Sequence, residues 1–366
     1  MVEQSKAEHV NPPPLIRVSG SHHEIGNQIG EACRLQVRHS IDNARALIDN
    51  AYEQLLLDWE GTKIQARKYL PFAQERYPQY VEELKGIAEG ADVDFDDVVV
   101  LNAMEAVTMD ALHLTKCTSI AVNEERTSDG HVLVAHNEDW LPYEEPDTYV
   151  LHVTPEEEPA FLAMTYGGLL PNIGFNAAGI AQCCDSVYPN DSRIGLPRVF
   201  VSRAVLAARN PADAIRCVLV PHRAAGYNHL LAHESGELYN VEVSSRHFGL
   251  LYAEEGYLVH TNHYLHPQMR AIENEPDELV GTRVRYFRAL RLLKQTRLHT
   301  IKSLQAIQQD HVSWPNSICN HAVEGDILLD REKTINALVM DLTSGVMYLA
   351  WGNPCENPYH TYQLEL

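Results

Sequence analysis

The 366-residue chain is short of positive charge: 29 Lys and Arg stand against 50 Asp and Glu, a formal net charge of −21. So acidic a chain is a poor match for the phosphates of nucleic acid or an anionic membrane surface, and neither is expected as a partner. It has no run of about 18 apolar residues, so no membrane-spanning helix is expected. Residues 1–10 lack an apolar stretch and do not read as a secretory signal. The seven cysteines, at positions 33, 117, 183, 184, 217, 319 and 355, contain no Cys-x-x-Cys pair. With no signal, reduced thiols in a cytoplasmic setting are the expectation. Neither a Gly-x-Ser-x-Gly elbow nor a P-loop occurs. The 19 histidines include His260 and His263 beside Asn262, the pair His22-His23, and His136. None stands at a fixed zinc spacing with Cys or Glu, so no catalytic metal is expected. Internal repeats and low-complexity tracts are absent.

What is present suits a globular domain: 45% apolar and 22% charged residues, in a chain long enough for one large domain or two smaller ones. Residues 1–14 read as a disordered lead-in ending in three prolines. Residues 24–116 are helix-rich, with helical spacing of apolar residues from Glu31 to Leu57 and from Tyr80 to Ala88. The stretch from Asp92 to Asp97 reads as a loop capping a helix that starts near Val98. From Cys117 to about Ala253 short β-rich runs take over, at 119–123, 131–136, 148–153, 160–166, 179–184, 229–233 and 238–243. Helices are expected at 198–208, from Pro211, at 282–295 and at 301–309, and final strands at 334–340 and 346–351. Layers of strands and paired helices make an α+β protein. The acidic run Glu156–Glu158 reads as a solvated loop.

The residue with most chemical content is Cys117. It stands at the mouth of a strand that turns at Ser128-Asp129-Gly130 and returns into His136-Asn-Glu-Asp-Trp140. This is a hairpin with a thiol at one end and carboxylates at the other. Such a thiol is a small buried hydrophobe, the expectation for Cys33, Cys183, Cys184 and Cys217, or a nucleophile in need of a base.

Several blocks occur in the order found in one family. They are Gly20-Ser-His-His-Glu-Ile-Gly26 with Gly30, Asn102-Ala-Met-Glu105, Lys116-Cys-Thr118 and His136-Asn-Glu-Asp-Trp140. After them come Gly174-Phe-Asn-Ala-Ala-Gly179, His260-Thr-Asn-His263, Ser317-Ile-Cys-Asn-His321 and Trp351-Gly-Asn-Pro-Cys355. Together they resemble the autoproteolytic N-terminal-nucleophile amidohydrolases and acyltransferases, the family of fungal acyl-coenzyme A:isopenicillin N acyltransferase and insect β-alanyl-amine hydrolases. The resemblance covers roughly residues 20–362. It implies a four-layer αββα sandwich and cleavage of the Lys116–Cys117 bond. Residues 1–116 then form an α chain and 117–366 a β chain, which stay together as one domain. The freed α-amine of Cys117, with an intrinsic pKa of about 7.7–8.0, then serves as the base for its own thiol.

By the same resemblance Asp139 orients that amine and Asn262 donates to the oxyanion. His136, Glu138, Trp140, Asp185 and Arg283 contribute to substrate binding. No cofactor and no metal are implied. The partners implied are a small N-acyl amide or acyl thioester, with a homo-oligomer left open. Hydrolysis of a β-alanyl-amine or related amide is the preferred activity, and acyl transfer from a coenzyme A thioester is the alternative.

Three positions depart from the pattern. Lys116 replaces a common glycine, Met104 a common arginine, and Asp185 an expected asparagine. A carboxylate at 185 cannot donate while ionised and would favour a cationic substrate. Lys116 and Asp185 also keep open an uncleaved, non-catalytic binding protein.

Overall fold

In the computed structural model, residues 11–108, 112, 116–274, 279–323, 325 and 331–365 are described. Residues 1–10 of the expected lead-in lie outside them. The chain opens with strand β1 (Leu15–Gly20) and seven helices: α1 (His22–Ala32), α2 (Arg34–Asn50), α3 (Tyr52–Leu55), α4 (Trp59–Arg67), α5 (Leu70–Arg76), α6 (Pro78–Ala91) and α7 (Phe95–Thr108). Ser21 starts α1 with a capping box: its hydroxyl accepts from the Glu24 amide while the Glu24 carboxylate accepts from the Ser21 amide. The glycines of this block serve packing. A Cβ on Gly26 would sit 2.0 Å from the Glu83 carbonyl oxygen, and one on Gly86 2.2 Å from that of His23. Helices α1 and α6 therefore meet backbone to backbone.

Then follow β2 (Lys116–Val122), β3 (Leu133–Trp140), β4 (Thr148–Pro155), β5 (Phe161–Tyr166), β6 (Ile173–Asn176) and β7 (Ile180–Asp185). Helices α8 (Arg198–Val205) and α9 (Pro211–Val218) precede β8 (Tyr227–His233), β9 (Leu238–Val243), β10 (Phe248–Tyr252) and β11 (Tyr257–His260). Helices α10 (Pro267–Arg270), α11 (Val280–Gln295) and α12 (Ile301–Gln308) lead to β12 (Lys333–Asp341), β13 (Val346–Trp351) and β14 (Tyr359–Gln363). Eight strands form one sheet in the order β1-β4-β5-β6-β7-β8-β9-β10, and six the other in the order β11-β2-β3-β12-β13-β14. Every pairing is antiparallel except β1 with β4.

Three apolar clusters separate four layers. The first joins α1, α2, α6, α7 and α8 to the outer face of the large sheet through Tyr149, Leu151, Phe161 and Ala163. The second lies between the sheets, where Ala121, Val134, Leu338 and Met347 meet Leu162, Phe175 and Leu230. The third packs Ile120, Val122 and Leu133 against Ala289, Leu293 and Leu304 of α11 and α12. Strand alternation makes this possible: residues 120 and 122 face the helices while 121 faces the other sheet. The expected αββα sandwich is what the chain forms.

Two local expectations change. Helix α7 starts at Phe95, three residues before Val98, because Asp94 caps it by accepting from the Asp96 amide. The acidic run is not wholly solvated. Glu156 and Glu157 are exposed, but Glu158 pairs with Arg203 at 3.0 Å and accepts from Tyr80 at 2.9 Å. Arg203 is completely buried and also pairs with Glu83 of α6, so it draws the carboxylate inward.

Candidate active site

Cys117 is the second residue of β2, buried with 3% of its surface exposed. In the β2–β3 register Cys117 lies opposite Glu138, Ser119 opposite His136, and Lys116 opposite Asp139. Alternation therefore puts Cys117, Ser119, His136 and Glu138 on the face between the sheets, and Asp139 on the face toward the helices.

The inner face carries a continuous polar chain. The thiol donates to Glu138 Oε2 at 3.8 Å. The same oxygen lies 2.9 Å from His136 Nε2, and His136 Nδ1 is 2.9 Å from Ser119 Oγ. Ser119 donates to Asp185 Oδ1 at 2.7 Å, so His136 Nδ1 must carry the hydrogen it shares with the serine. Asp185 also accepts from Asn228 at 2.9 Å, and its Oδ2 is 3.3 Å from His260 Nδ1. His260 Nε2 lies 2.9 Å from Glu242.

Burial and the carboxylates of Glu138, Asp185 and Asp139 raise the Cys117 thiol well above its usual value, while Arg285 opposes them. This thiol needs a base. Burial disfavours the His260 cation, yet the carboxylates of Asp185 and Glu242 beside it prevail and lift it to about 9. Burial likewise works to raise Asp185, but His260 holds it below the carboxylate range. Asp185 is therefore spent within the protein, and it does not present a free carboxylate to a cationic substrate as its sequence position suggested.

On the helix-facing side, Asn262 Oδ1 accepts the Cys117 amide hydrogen at 2.8 Å and Arg285 Nη2 at 2.8 Å. These two donors fix which end of the amide faces the cysteine. Its Nδ2 donates one hydrogen to the Ser186 carbonyl at 3.1 Å, and the second is uncommitted among the described residues. Asp139 Oδ1 accepts from Thr334 at 2.6 Å. Its Oδ2 is buried with no hydrogen-bond partner among the described residues. Burial lifts the Asp139 carboxyl to about 7, against the pull of Arg285 and Thr334. Lys116 Nζ pairs with Glu332 at 2.8 Å.

One sequence-predicted residue is not brought in. Arg283 has 43% of its side chain exposed and pairs with Glu273 at 3.5 Å. Arg285 takes the place expected of it: buried, it donates to the Cys117 carbonyl, to Thr118 Oγ1 at 3.0 Å and to Asn262. The buried stripe of α11 is Thr282, Arg285, Ala289 and Leu293. Position 283 lies about 200° from 285 around the helix. That phase was the available signal.

A cavity is lined by Leu101, Met104 and Glu105 of α7 and by Trp140, Glu144 and Tyr166 among others. Tyr166 links it to the polar chain at Cys117 by donating to Glu138 Oε1 at 3.4 Å. Trp140 shares the inner face of β3 with Glu138. Cavity walls come from both the N-terminal helices and the strands after Cys117.

Residues 125–356 match the family model described as acyl-coenzyme A:6-aminopenicillanic acid acyl-transferase. The 40 kDa form of acyl-coenzyme A:6-aminopenicillanic-acid-acyltransferase from Emericella nidulans is 25% identical over 95% of this chain and 94% of its own length. The β-alanyl-dopamine/carcinine hydrolase of Drosophila melanogaster is 27% identical over 56% of each chain. Conjugated bile acid hydrolase from Clostridium perfringens overlays 68% of this chain and 97% of its own at 12% identity, with a TM-score of 0.45. No helix among the described residues is long and apolar enough to cross a membrane. The chain belongs to the acyl-coenzyme A:6-aminopenicillanic acid acyl-transferase family of enzymes.

Proposed function

We propose that the chain cuts itself between Lys116 and Cys117 and then works as an amidohydrolase on a small N-acyl amide. The observation that carries this reading is the buried Asp139 Oδ2 opposite Lys116, without a hydrogen-bond partner among the described residues, beside a cysteine whose amide hydrogen is already held by Asn262. A buried acceptor without a donor is costly, and an amine released at Cys117 supplies one.

In the precursor the Cys117 thiol gives its proton to the Glu138–His136 pair, and sulfur adds to the Lys116 carbonyl carbon. The C–N bond breaks as the nitrogen takes a proton from that pair, leaving a thioester. Water adds to the thioester, releasing the Lys116 carboxylate and a Cys117 with free thiol and amine. In the mature enzyme the neutral amine, oriented by Asp139 and Asn262, takes the thiol proton as sulfur attacks the substrate carbonyl. The second Nδ2 hydrogen of Asn262 meets the oxyanion, a kind of donor typically worth about 2.7–4 kcal/mol. The departing amine takes the proton back, and water frees the acyl group.

Residues 1–116 and 117–366 remain one domain, because both build the cavity and share the large sheet through β1. A cationic part of the substrate meets Glu144 in that cavity, since Asp185 is engaged. Seven unpaired cysteines fit a reducing, cytoplasmic setting. The Emericella relative supports acyl transfer from a thioester as a second reading, in which an acceptor amine replaces water.

The test is the purified full-length protein on a denaturing gel, with N-terminal sequencing and a panel of β-alanyl, penicillin-type and fatty-acyl amides. Two fragments, the larger starting at Cys117, are expected, with turnover lost by ~10⁴-fold or more in Cys117→Ala. An intact chain whose Cys117→Ala variant keeps its activity overturns the mechanism. Faster release from the acyl-enzyme on adding an amine selects transfer over hydrolysis.

A further inference from the structure

Away from the nucleophile, four side chains from two separate stretches converge: His311, Cys319 and His321 between α12 and β12, and Cys355 after β13. The sulfur atoms of Cys319 and Cys355 are 3.5 Å apart and unbonded. His321 Nε2 lies 3.4 Å from each sulfur and 3.2 Å from His311 Nε2. One imidazole nitrogen has a single hydrogen or a single lone pair, so it cannot satisfy three such neighbours at once. A cation at their centre can. Zinc bonds of about 2.3 Å to sulfur and 2.0–2.1 Å to nitrogen, at tetrahedral angles, put ligand atoms about 3.8, 3.6 and 3.3 Å apart for S–S, S–N and N–N pairs. The observed spacings follow the same order and are tighter by a few tenths of an ångström at most.

We propose that His311, Cys319, His321 and Cys355 bind one structural zinc ion. Two thiolates and two imidazoles in a tetrahedron select zinc over the hard cations. Four protein ligands leave no open position, so the ion takes no part in the reaction. Binding displaces the two thiol protons to solvent. The surroundings suit such a centre. Asn353 donates to Cys319 Sγ at 3.5 Å and to the Asn320 carbonyl at 2.7 Å, and the Trp314 ring stacks 4.2 Å from that of His321.

The ion would fasten the 311–321 loop to the turn at Cys355. That loop reaches the nucleophile's surroundings. The Asn320 amide donates to Thr334 Oγ1 at 2.9 Å, and Thr334 holds Asp139. Lys116 Nζ lies 3.5 Å from Asn316. The zinc therefore acts as a positioning element for Asp139 and for the bond to be cut.

The test uses the full chain purified under reducing conditions, read by elemental mass spectrometry. Chelator-treated protein is then titrated with Co²⁺. About one zinc per chain is expected, and Co²⁺ should give the visible bands of a tetrahedral site with thiolate-to-metal charge transfer. Cys355→Ser and His311→Ala, both at solvent-accessible positions, should lower zinc affinity by ~100-fold or more. Cys355→Ser should also halve the charge-transfer intensity. Protein that holds no zinc and gives no such spectrum overturns the proposal, as does a spectrum unchanged in Cys355→Ser. A Cys319–Cys355 disulfide found in freshly purified, metal-free protein does the same. The wild-type cobalt spectrum decides the matter even if a variant fails to fold.

Discussion

Two buried acid clusters in this molecule balance their charge differently. Around Arg203, the carboxylates of Glu83 and Glu158 meet the guanidinium and the His22 imidazole. The guanidinium also lies over the Tyr80 and Phe161 rings. Burial opposes the His22 cation, but its bonds to Glu158 and Glu83 raise it to about 9. Burial likewise opposes the Glu158 anion, but Arg203 and His22 bring it down to about 2. Two acids meet two cations. Around Cys117, the acids Glu138, Asp139, Asp185 and Glu242 stand against Arg285, the raised His260 and the His136 ring. There the thiol is pushed up, Asp139 is raised to about 7, and its Oδ2 has no hydrogen-bond partner among the described residues. In the first cluster both carboxylates are paired with cations. The second is short of a donor that chain cleavage would create.

Substitutions should therefore act oppositely in the two places. Asp139→Asn removes surplus charge: turnover should fall by ~10²–10⁴-fold while the melting temperature holds or rises. A steep loss of stability in that variant would remove the contrast. Arg203→Ala strands two buried carboxylates and should cost about 3–5 kcal/mol in urea unfolding, with turnover per folded molecule unchanged. Asn262→Ala should lose about 2.7–4 kcal/mol of barrier lowering, read as kcat/KM.

The smallest effect is in pH dependence. Glu158 sits below its ordinary value, so its stabilisation is present above about 4.5 and fades as pH falls toward about 2. His22 sits above its ordinary value, so its stabilisation is full below about 6.5 and fades as pH rises through about 9. His22→Gln should flatten the alkaline limb in chemical unfolding followed across that range. An unchanged limb would mean that His22 carries no charge in the fold.

Much of this was legible along the chain because strand and helix periods are local. The run of residues around Cys117 and the return to Trp140 gave the hairpin, while the register that sets Glu138 opposite the thiol is read from the folded sheet. The 198–208 and 282–295 helices followed from apolar spacing. Arg283 was the miss: the block pointed to an arginine, but only the phase of α11 against the sheet singles out Arg285. Glu158 was another, since nothing near the acidic run announces Arg203, 45 residues on. Asp185 looked like a substrate-facing carboxylate until His260, from another strand, was seen to occupy it.

By itself the sequence determined the α+β layering, the hairpin that carries Cys117, and the family blocks that surround it. These rest on periodicity and on short contiguous motifs, which survive without knowledge of distant contacts. The tertiary structure alone decided that Asp139 Oδ2 is buried without a hydrogen-bond partner among the described residues, which arginine holds the Cys117 carbonyl, and that His311, Cys319, His321 and Cys355 come together in space. Those are matters of distance between residues far apart in the chain. Charge balance and ligand geometry are set by such distances, and no local pattern encodes them.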